Sequence, residues 1–186
     1  MATDRLTCTA TLELMLNIKS TIEQAMGSRT PGMPDNILLR ITETLAKGTS
    51  NGQFNQFWYD MRILAASQTD SIDCSGGITN IPGHSIVGLV LKGILVHNRS
   101  DETLTAALHG NAHTISAAAL EVTRPAVNGV PWLKTAGDAI EVGPGAWNFW
   151  YDPVGITITA GTGDLIDIIE TAAVEAAYDI VLLFEE

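Results

Sequence analysis

The chain opens on an alternation of apolar and polar positions, broken only at Met15. Cys8, Ala10, Leu12, Leu14, Leu16 and Ile18 fall on one side of an extended backbone, and Thr7, Thr9, Thr11, Glu13, Asn17 and Lys19 fall on the other. A period of two over this length predicts a half-buried β-strand. Residues 20–26 either extend that strand or turn briefly helical. Residues 27–34 hold Gly27, Gly32, Pro31 and Pro34 and read as a loop or hinge. A second extended segment, 37–45, ends in a turn-rich connection over 47–52, and 56–64 carries Phe57, Trp58 and Tyr59.

Ser71, Ile72, Asp73 and Cys74 then run into a predicted turn at Gly76 and Gly77. Residues 86–97 form the most continuous apolar stretch, with Val87, Leu89, Val90, Leu91, Ile94, Leu95 and Val96. Such a run fits a strand buried on both faces. Gly88 and Gly93 inside it mark a bulge or a place where another backbone comes close. Asn98, Arg99, Ser100 and Asp101 turn the chain into 103–108, and the alanine-rich 116–120 predicts a short helix.

The last third is punctuated by glycine and proline. Gly143-Pro144-Gly145 separates 139–142 from 147–151, and Asp152-Pro153-Val154-Gly155 separates that segment from 156–160. Gly161-Thr162-Gly163-Asp164 leads into 165–169, and 178–184 closes the row. Short strands about ten residues apart, with such residues between them, indicate a sandwich or barrel. The expected fold is all-β, a jelly-roll-like β-sandwich over 36–186. Residues 1–35 are expected to supply an extended N-terminal strand or arm and a hinge loop.

Composition narrows the partners. The formal net charge of the 186 residues is 10 − 21 = −11. Nucleic-acid binding depends on Lys and Arg neutralising phosphates, so this balance argues against it. No stretch approaches 18 consecutive apolar residues, so no membrane span is expected. Met1-Ala2-Thr3-Asp4-Arg5 lacks the layout of a signal peptide, which implies synthesis in a cytoplasm. Charged residues make up only 17%, below the roughly 25% of soluble domains. A surface so poor in charge needs its Ser, Thr, Asn and Gly for solubility, or a partner to cover it.

Candidate chemistry is sparse. Cys8 and Cys74 belong to no CxxC pair and are expected as buried thiols. Gly161-Thr162-Gly163-Asp164 lacks the GK[ST] ending of a phosphate loop and the third glycine of a dinucleotide fingerprint, so a hairpin turn is expected. Of His84, His97, His109 and His113, only the last two have ligand-like spacing. No Glu sits between them, and zinc sites usually take three or four protein ligands. No GxSxG elbow is present. Pairs such as Asp164/Asp167 and Asp179/Glu185 arise by chance among 21 acidic residues, and Glu185-Glu186 reads as a solvated tail. Asn98-Arg99-Ser100 matches a glycosylation sequon without a secretion signal to use it. No catalytic, cofactor-binding or metal residue is therefore assigned, and no cofactor is expected. An enzyme such as a glycan hydrolase would need a carboxylate pair in a cleft, to which nothing points.

The aromatic group Trp132, Trp147, Phe149, Trp150 and Tyr151 allows more than one reading. Trp147, Phe149 and Tyr151 alternate with Asn148 and Trp150, so one strand presents aromatics on both faces. Core packing alone is the leading account, followed by a subunit interface and then by carbohydrate stacking.

Three blocks carry a family resemblance. The first is Lys47-Gly48-Thr49-Ser50-Asn51-Gly52-Gln53 followed by residues from Phe57 to Ala66. The second is Val142-Gly143-Pro144-Gly145, and the third runs from Asp152-Pro153-Val154-Gly155 to Asp164-Leu165 and on to Tyr178-Asp179-Ile180-Val181. This ordered set resembles small virion proteins of tailed phages and prophages, a family placed with head genes. The resemblance implies a non-enzymatic capsid decoration protein, a cement or head-stabilising subunit outside the virion shell. Its partner would be the major capsid protein, and it would act as a homo-oligomer, with a trimer at a three-fold axis as one arrangement. The alternative is a tail or fibre component that binds host surface glycan through its aromatics, with acids on hydroxyls or Ca²⁺.

Overall fold

The computed structural model describes residues 10–19, 36–79, 85–87, 89–100 and 115–185. Among these the regular elements are all strands: β1 (Ala10–Lys19), β2 (Asn36–Lys47), β3 (Gln53–Phe54), β4 (Gln56–Leu64), β5 (Thr69–Asp73), β6 (Ile78–Thr79) and β7 (Ser85–Ile86). They continue with β8 (Val90–Asn98), β9 (Leu120–Thr123), β10 (Ala139–Val142), β11 (Trp147–Thr157), β12 (Leu165–Glu170) and β13 (Ala176–Glu185). The expected all-β class holds. Cys8, His84, His109, His113, the 27–34 loop and the 103–108 segment lie outside the described residues.

Contacts divide the chain into Met1–Lys47 and Gly48–Glu186. In the first unit β1 and β2 pair antiparallel from Ala10↔Leu45 to Lys19↔Asn36. The sequence places the boundary near residue 35, whereas the contacts place β2 in the first unit with β1, which it pairs over Asn36–Leu45.

The second unit contains two four-stranded antiparallel sheets, ordered β10-β9-β12-β5 and β11-β8-β13-β4, and a small β6-β7 hairpin. The pairings nest. β9 pairs with β10, β8 with β11, β5 with β12 and β4 with β13. Eight strands thus form one long antiparallel ribbon that bends from sheet to sheet, and the pairings β8 with β13 and β9 with β12 seal its turns together. The inward faces of both sheets share one core, including Trp58, Ile72, Leu91, Ile94, Val96, Leu120, Val122, Ile166, Ile168, Ile180, Leu182 and Phe184. The result is sandwich-like, and the alternation along β12 and β13 shows why. Ile166 and Ile168 are buried between half-exposed Leu165, Asp167 and Ile169, and Ile180 and Leu182 flank half-exposed Val181.

The apolar run 86–97 resolves into β7 and β8 instead of one strand. It is buried on both sides from Leu91 to Ile94, after which Val96 points in while Leu95 and His97 are half exposed. At Gly93 the crowding neighbour is a side chain: a β-carbon there would sit 3.2 Å from Leu183 Cδ1, while the Trp150 carbonyl at 3.5 Å would be in ordinary contact. The bulge lies at Lys92. Gly93 and Leu91 pair with Leu183 and Phe184 on β13, so the residue between them has no partner there.

Two local expectations fail. Asp152-Pro153-Val154-Gly155 does not end a strand, because β11 runs through it as a wide irregularity between Tyr151 and Ile156. Lys92 Nζ holds it by donating to the carbonyls of Val154 at 2.7 Å and Pro153 at 3.2 Å. The Asp152 carboxylate accepts from the amides of Val154 and Gly155 at 2.8 and 3.1 Å. The predicted helix over 116–120 is absent; 115–119 runs without regular structure into β9. The Ser116 amide donates to the Glu175 carbonyl at 3.1 Å, and the Ala118 and Ala119 carbonyls accept from Asn98 Nδ2 at 2.7 Å and Thr171 Oγ1 at 3.2 Å. These tertiary bonds outweigh the helical propensity of alanine.

Candidate docking face

The register of β11-β8-β13-β4 builds its outer face row by row. Trp147, His97, Asp179 and Met61 lie side by side across the four strands, as do Phe149, Leu95, Val181 and Tyr59, then Tyr151, Gly93, Leu183 and Phe57. Residues directly opposite on paired strands share a face, so these rows are one surface. The aromatic side chains stand on the two edge strands, while the central strands β8 and β13 carry Gly93, Leu95, Val181 and Leu183. The surface is therefore a shallow trough between aromatic walls. Trp147 is 62% exposed, Tyr59 50%, Phe149 37% and Phe57 36%. Trp150, one residue from Phe149, turns inward against the core and meets Trp132 edge-on at 6.3 Å. Core packing therefore accounts for Trp132 and Trp150 but not for Trp147 and Phe149.

One polar spot interrupts this face. The His97 ring stacks on the Trp147 indole at 3.8 Å with 6° between their planes. His97 Nδ1 lies 3.4 Å from Asp179 Oδ2, the Tyr59 hydroxyl donates to Asp179 Oδ1 at 3.3 Å, and an Arg99 guanidinium nitrogen stands 3.7 Å from Oδ2. Burial, and then the Asp179 carboxylate, raise the Tyr59 hydroxyl above the ordinary tyrosine value. The single acid of these rows is thus met by a cation on the same sheet, and the face is close to neutral.

The outer face of the other sheet has the opposite character. Its rows are Glu141, Glu121, Ile169 and Thr69, then Ala139, Thr123, Asp167 and Ser71, with Leu165 beside Asp73 at the end. Four carboxylates stand in these rows with no lysine or arginine among them. Glu141 and Glu121 are directly opposite, an arrangement that costs stability and that water makes tolerable.

The remaining polar groups serve the fold. Lys92, only 2% exposed, completes its bonds to Pro153 and Val154 with an ion pair to Glu185 Oε2 at 2.9 Å. Glu185 is therefore no solvated tail, and Asp179 and Glu185 engage different partners. Lys92 was legible as the one charged residue inside the apolar run 86–97. Between the sheets, Arg62 Nη1 donates to both oxygens of Asp70 at 2.8 and 2.7 Å, and the guanidinium lies 5.0 Å from the Trp58 ring centroid. Asp164, in the glycine-rich turn, accepts from Ser75 Oγ at 2.9 Å and from the Gly161 amide, and the turn closes through a Thr159↔Gly163 bridge, as the hairpin reading expects. Asp167 stands on the outer face and does not join it.

Cys74 is a free, fully buried thiol, and burial pushes its pKa well up. Asn98 of the sequon is also fully buried, with Nδ2 donating to the carbonyls of Ala118 and Val142, both at 2.7 Å. Among the described residues, no group of three or more His, Cys, Asp or Glu side chains is arranged to hold a metal ion. No helix among them is long and apolar enough to cross a membrane.

Sheet topology and the outer aromatic face define a class, an all-β protein of paired antiparallel sheets. Comparison with protein-family models, curated proteins and solved structures gives no match that would narrow this class to a family.

Proposed function

We propose that the protein is a non-enzymatic structural subunit of a phage particle, a jelly-roll decoration protein that binds the outside of the major capsid protein shell and stabilises it. The observation that carries this reading is the contrast between the two outer faces of the sandwich. A contiguous aromatic face on a protein of this size marks a contact surface, whereas a face with exposed Glu141 and half-exposed Glu121, Asp167 and Asp73 favours water. A subunit added to a shell requires both, one side buried against protein and one side keeping the particle soluble.

The strand order supports the fold half of the proposal. Numbering the eight ribbon strands in chain order, the pairs are first with eighth, second with seventh, third with sixth and fourth with fifth. This nesting is the pairing order that a jelly roll would have, and it favours that architecture, which is found in viral capsid and lectin domains. The resemblance to small phage and prophage virion proteins points in the same direction. Polar clusters at Lys92, Arg62 and Asp164 are used up in internal bonds, which favours contact over catalysis.

Particles assembled with and without the protein test the reading. The expected result is that particles lacking it release DNA at lower temperature or lower salt, and that added protein restores them. Equal resistance of the two kinds of particle would rule cementing out. A second reading, a tail or fibre subunit that binds host glycan, is favoured by the exposed Trp147 indole, whose ring His97 holds in a fixed plane. A glycan array with and without Ca²⁺ decides it, since loss of any signal on Trp147→Ala is its required outcome.

A further inference from the structure

The aromatic face has a shape that suits a copy of itself. Its walls are Trp147, Phe149 and Tyr151 along β11 and Phe57 and Tyr59 along β4, and the floor between them is Leu95, Val181 and Leu183. Leu183 leans over Gly93, 3.2 Å from where a β-carbon would be, so the floor is closed and low. Strands lie about 4.8 Å apart, which makes the floor over β8 and β13 roughly 10 Å across, wide enough to receive one row of side chains from a facing sheet. An aromatic wall of one molecule fits the floor of another, and a two-fold axis makes the same contact twice.

Charge selects the same occupant. A chain of net charge −11 that recognised a basic partner through this face would display unpaired acids on it. Here the only carboxylate in the three rows, Asp179, faces Arg99, His97 and Tyr59 of its own sheet. Two such faces meet without like charges opposed, while the four carboxylates of the other sheet stay on the far side. The exposed aromatics alone supply a large part of the area. Aromatic side chains bury about 150–250 Å² each, so the exposed parts of Trp147, Tyr59, Phe149 and Phe57 offer roughly 400 Å². That is half of the roughly 800 Å² per partner in a standard interface, before half-exposed Leu95, Val181, Met61 and Tyr151 are added.

We infer that the outer face of β11-β8-β13-β4 is a homotypic interface, in which the β11 wall of each of two copies lies in the β8-β13 trough of the other. The contact takes the same face that the decoration reading sets against the shell, so copies paired in this way must part, or meet the shell through another surface, for decoration to follow.

Sedimentation of the full-length protein from about 1 to 100 μM tests it, together with Phe149→Glu, Tyr59→Glu and Leu95→Trp, the last filling the trough. Val127→Glu, at a 73% exposed position outside the rows, is the control. The expected result is reversible pairing of the wild type and the control, at least tenfold weaker pairing in each face variant, and unchanged melting of the separated Phe149→Glu monomer. Blue-shifted emission from Trp147 should accompany pairing and be missing in Trp147→Phe. A wild type that stays monomeric at 100 μM, pairing indifferent to all three variants, or a folded monomer that captures glycan on this face would each overturn the inference. Loss of particle stabilisation with pairing intact would count against the decoration reading alone.

Discussion

The Tyr178 hydroxyl donates to Asp70 Oδ2 at 2.5 Å, and Arg62 grips the same carboxylate, so a residue of each sheet is tied to the other through one acid. Tyr178 on β13 and Arg62 on β4 are cross-strand partners, whereas Asp70 sits on β5 of the opposite sheet. Burial, and then the charge of Asp70, push the Tyr178 pKa far up, which keeps its proton in the bond. Burial works against the Arg62 charge, but Asp70 and Asp60 outweigh it and the guanidinium is held more firmly.

Tyr178→Phe removes one bond and leaves Asp70 with Arg62, so it should cost about 1–2 kcal/mol. Arg62→Met strips the carboxylate of its cation and should cost about 3 kcal/mol. Urea melts of both single variants and the double variant should show coupling, with the double variant losing less than the sum.

Glu170 supplies a pH-dependent contribution. It is buried, and its carboxylate accepts from the amides of Ser67 at 2.6 Å and Ala172 at 2.5 Å. Burial alone would raise its pKa, but the amides of Ser67, Ala172, Val174 and Ala173 outweigh that and lower it. A depressed carboxylate stabilises the fold above its unfolded value of about 4.3 and loses that contribution as pH falls through the folded value. Glu170→Gln should therefore melt lower than wild type near neutral pH, and the gap should close as both are acidified below about pH 3. A gap independent of pH would show that the carboxylate charge is not what matters.

The bulge at Lys92 offers a third measurement. Glu185→Ala leaves an ammonium buried against two carbonyls and should destabilise by about 3 kcal/mol. Lys92→Met leaves a partly exposed carboxylate that water can reach, and should cost less. Chemical denaturation of the pair gives the ordering, and the reverse ordering would mean that the carbonyl bonds dominate.

Glycine substitutions separate strain from crowding. Gly155 has φ +79°, and a β-carbon there would lie 2.5 Å from Val90 Cγ1 and 2.8 Å from the Leu91 carbonyl. Gly161 has φ +72° with open space around it. Thermal melts should show about 1 kcal/mol lost for Gly161→Ala, the left-handed penalty alone, and several times that for Gly155→Ala.

The glycine-proline punctuation made the strands of the last third legible, since β10, β12 and β13 fall between the marks it sets. What local pattern could not reveal was set by partners distant in sequence. Asp152-Pro153-Val154-Gly155 reads as a terminator until Lys92 arrives from another strand to hold it. The alanines of 116–120 read as helix until Asn98 and Thr171 take their carbonyls. For the candidate face the alternation of Trp147, Phe149 and Tyr151 with Trp150 was visible, but which set meets water depends on the register of β11 against β8. Tyr59 and Val181 joined the surface only once β4, β13 and β8 were aligned. Glu185 looked like an end of chain because its partner is some ninety positions away.

The nested pairings also prescribe an order of assembly. The β9-β10 hairpin closes the shortest loop, and each further pair, β8 with β11, β5 with β12, β4 with β13, need only zip onto the pair before it. Loop-closure entropy grows only logarithmically with length, so each step after the first is cheap once its predecessor exists. Yet the outermost pair joins residues more than a hundred apart, and such non-local topologies mature in milliseconds to seconds, not microseconds. Until β13 arrives, β4 and β8 each lack a neighbour, and the last strand to dock would therefore govern how long the nascent chain stays vulnerable to aggregation.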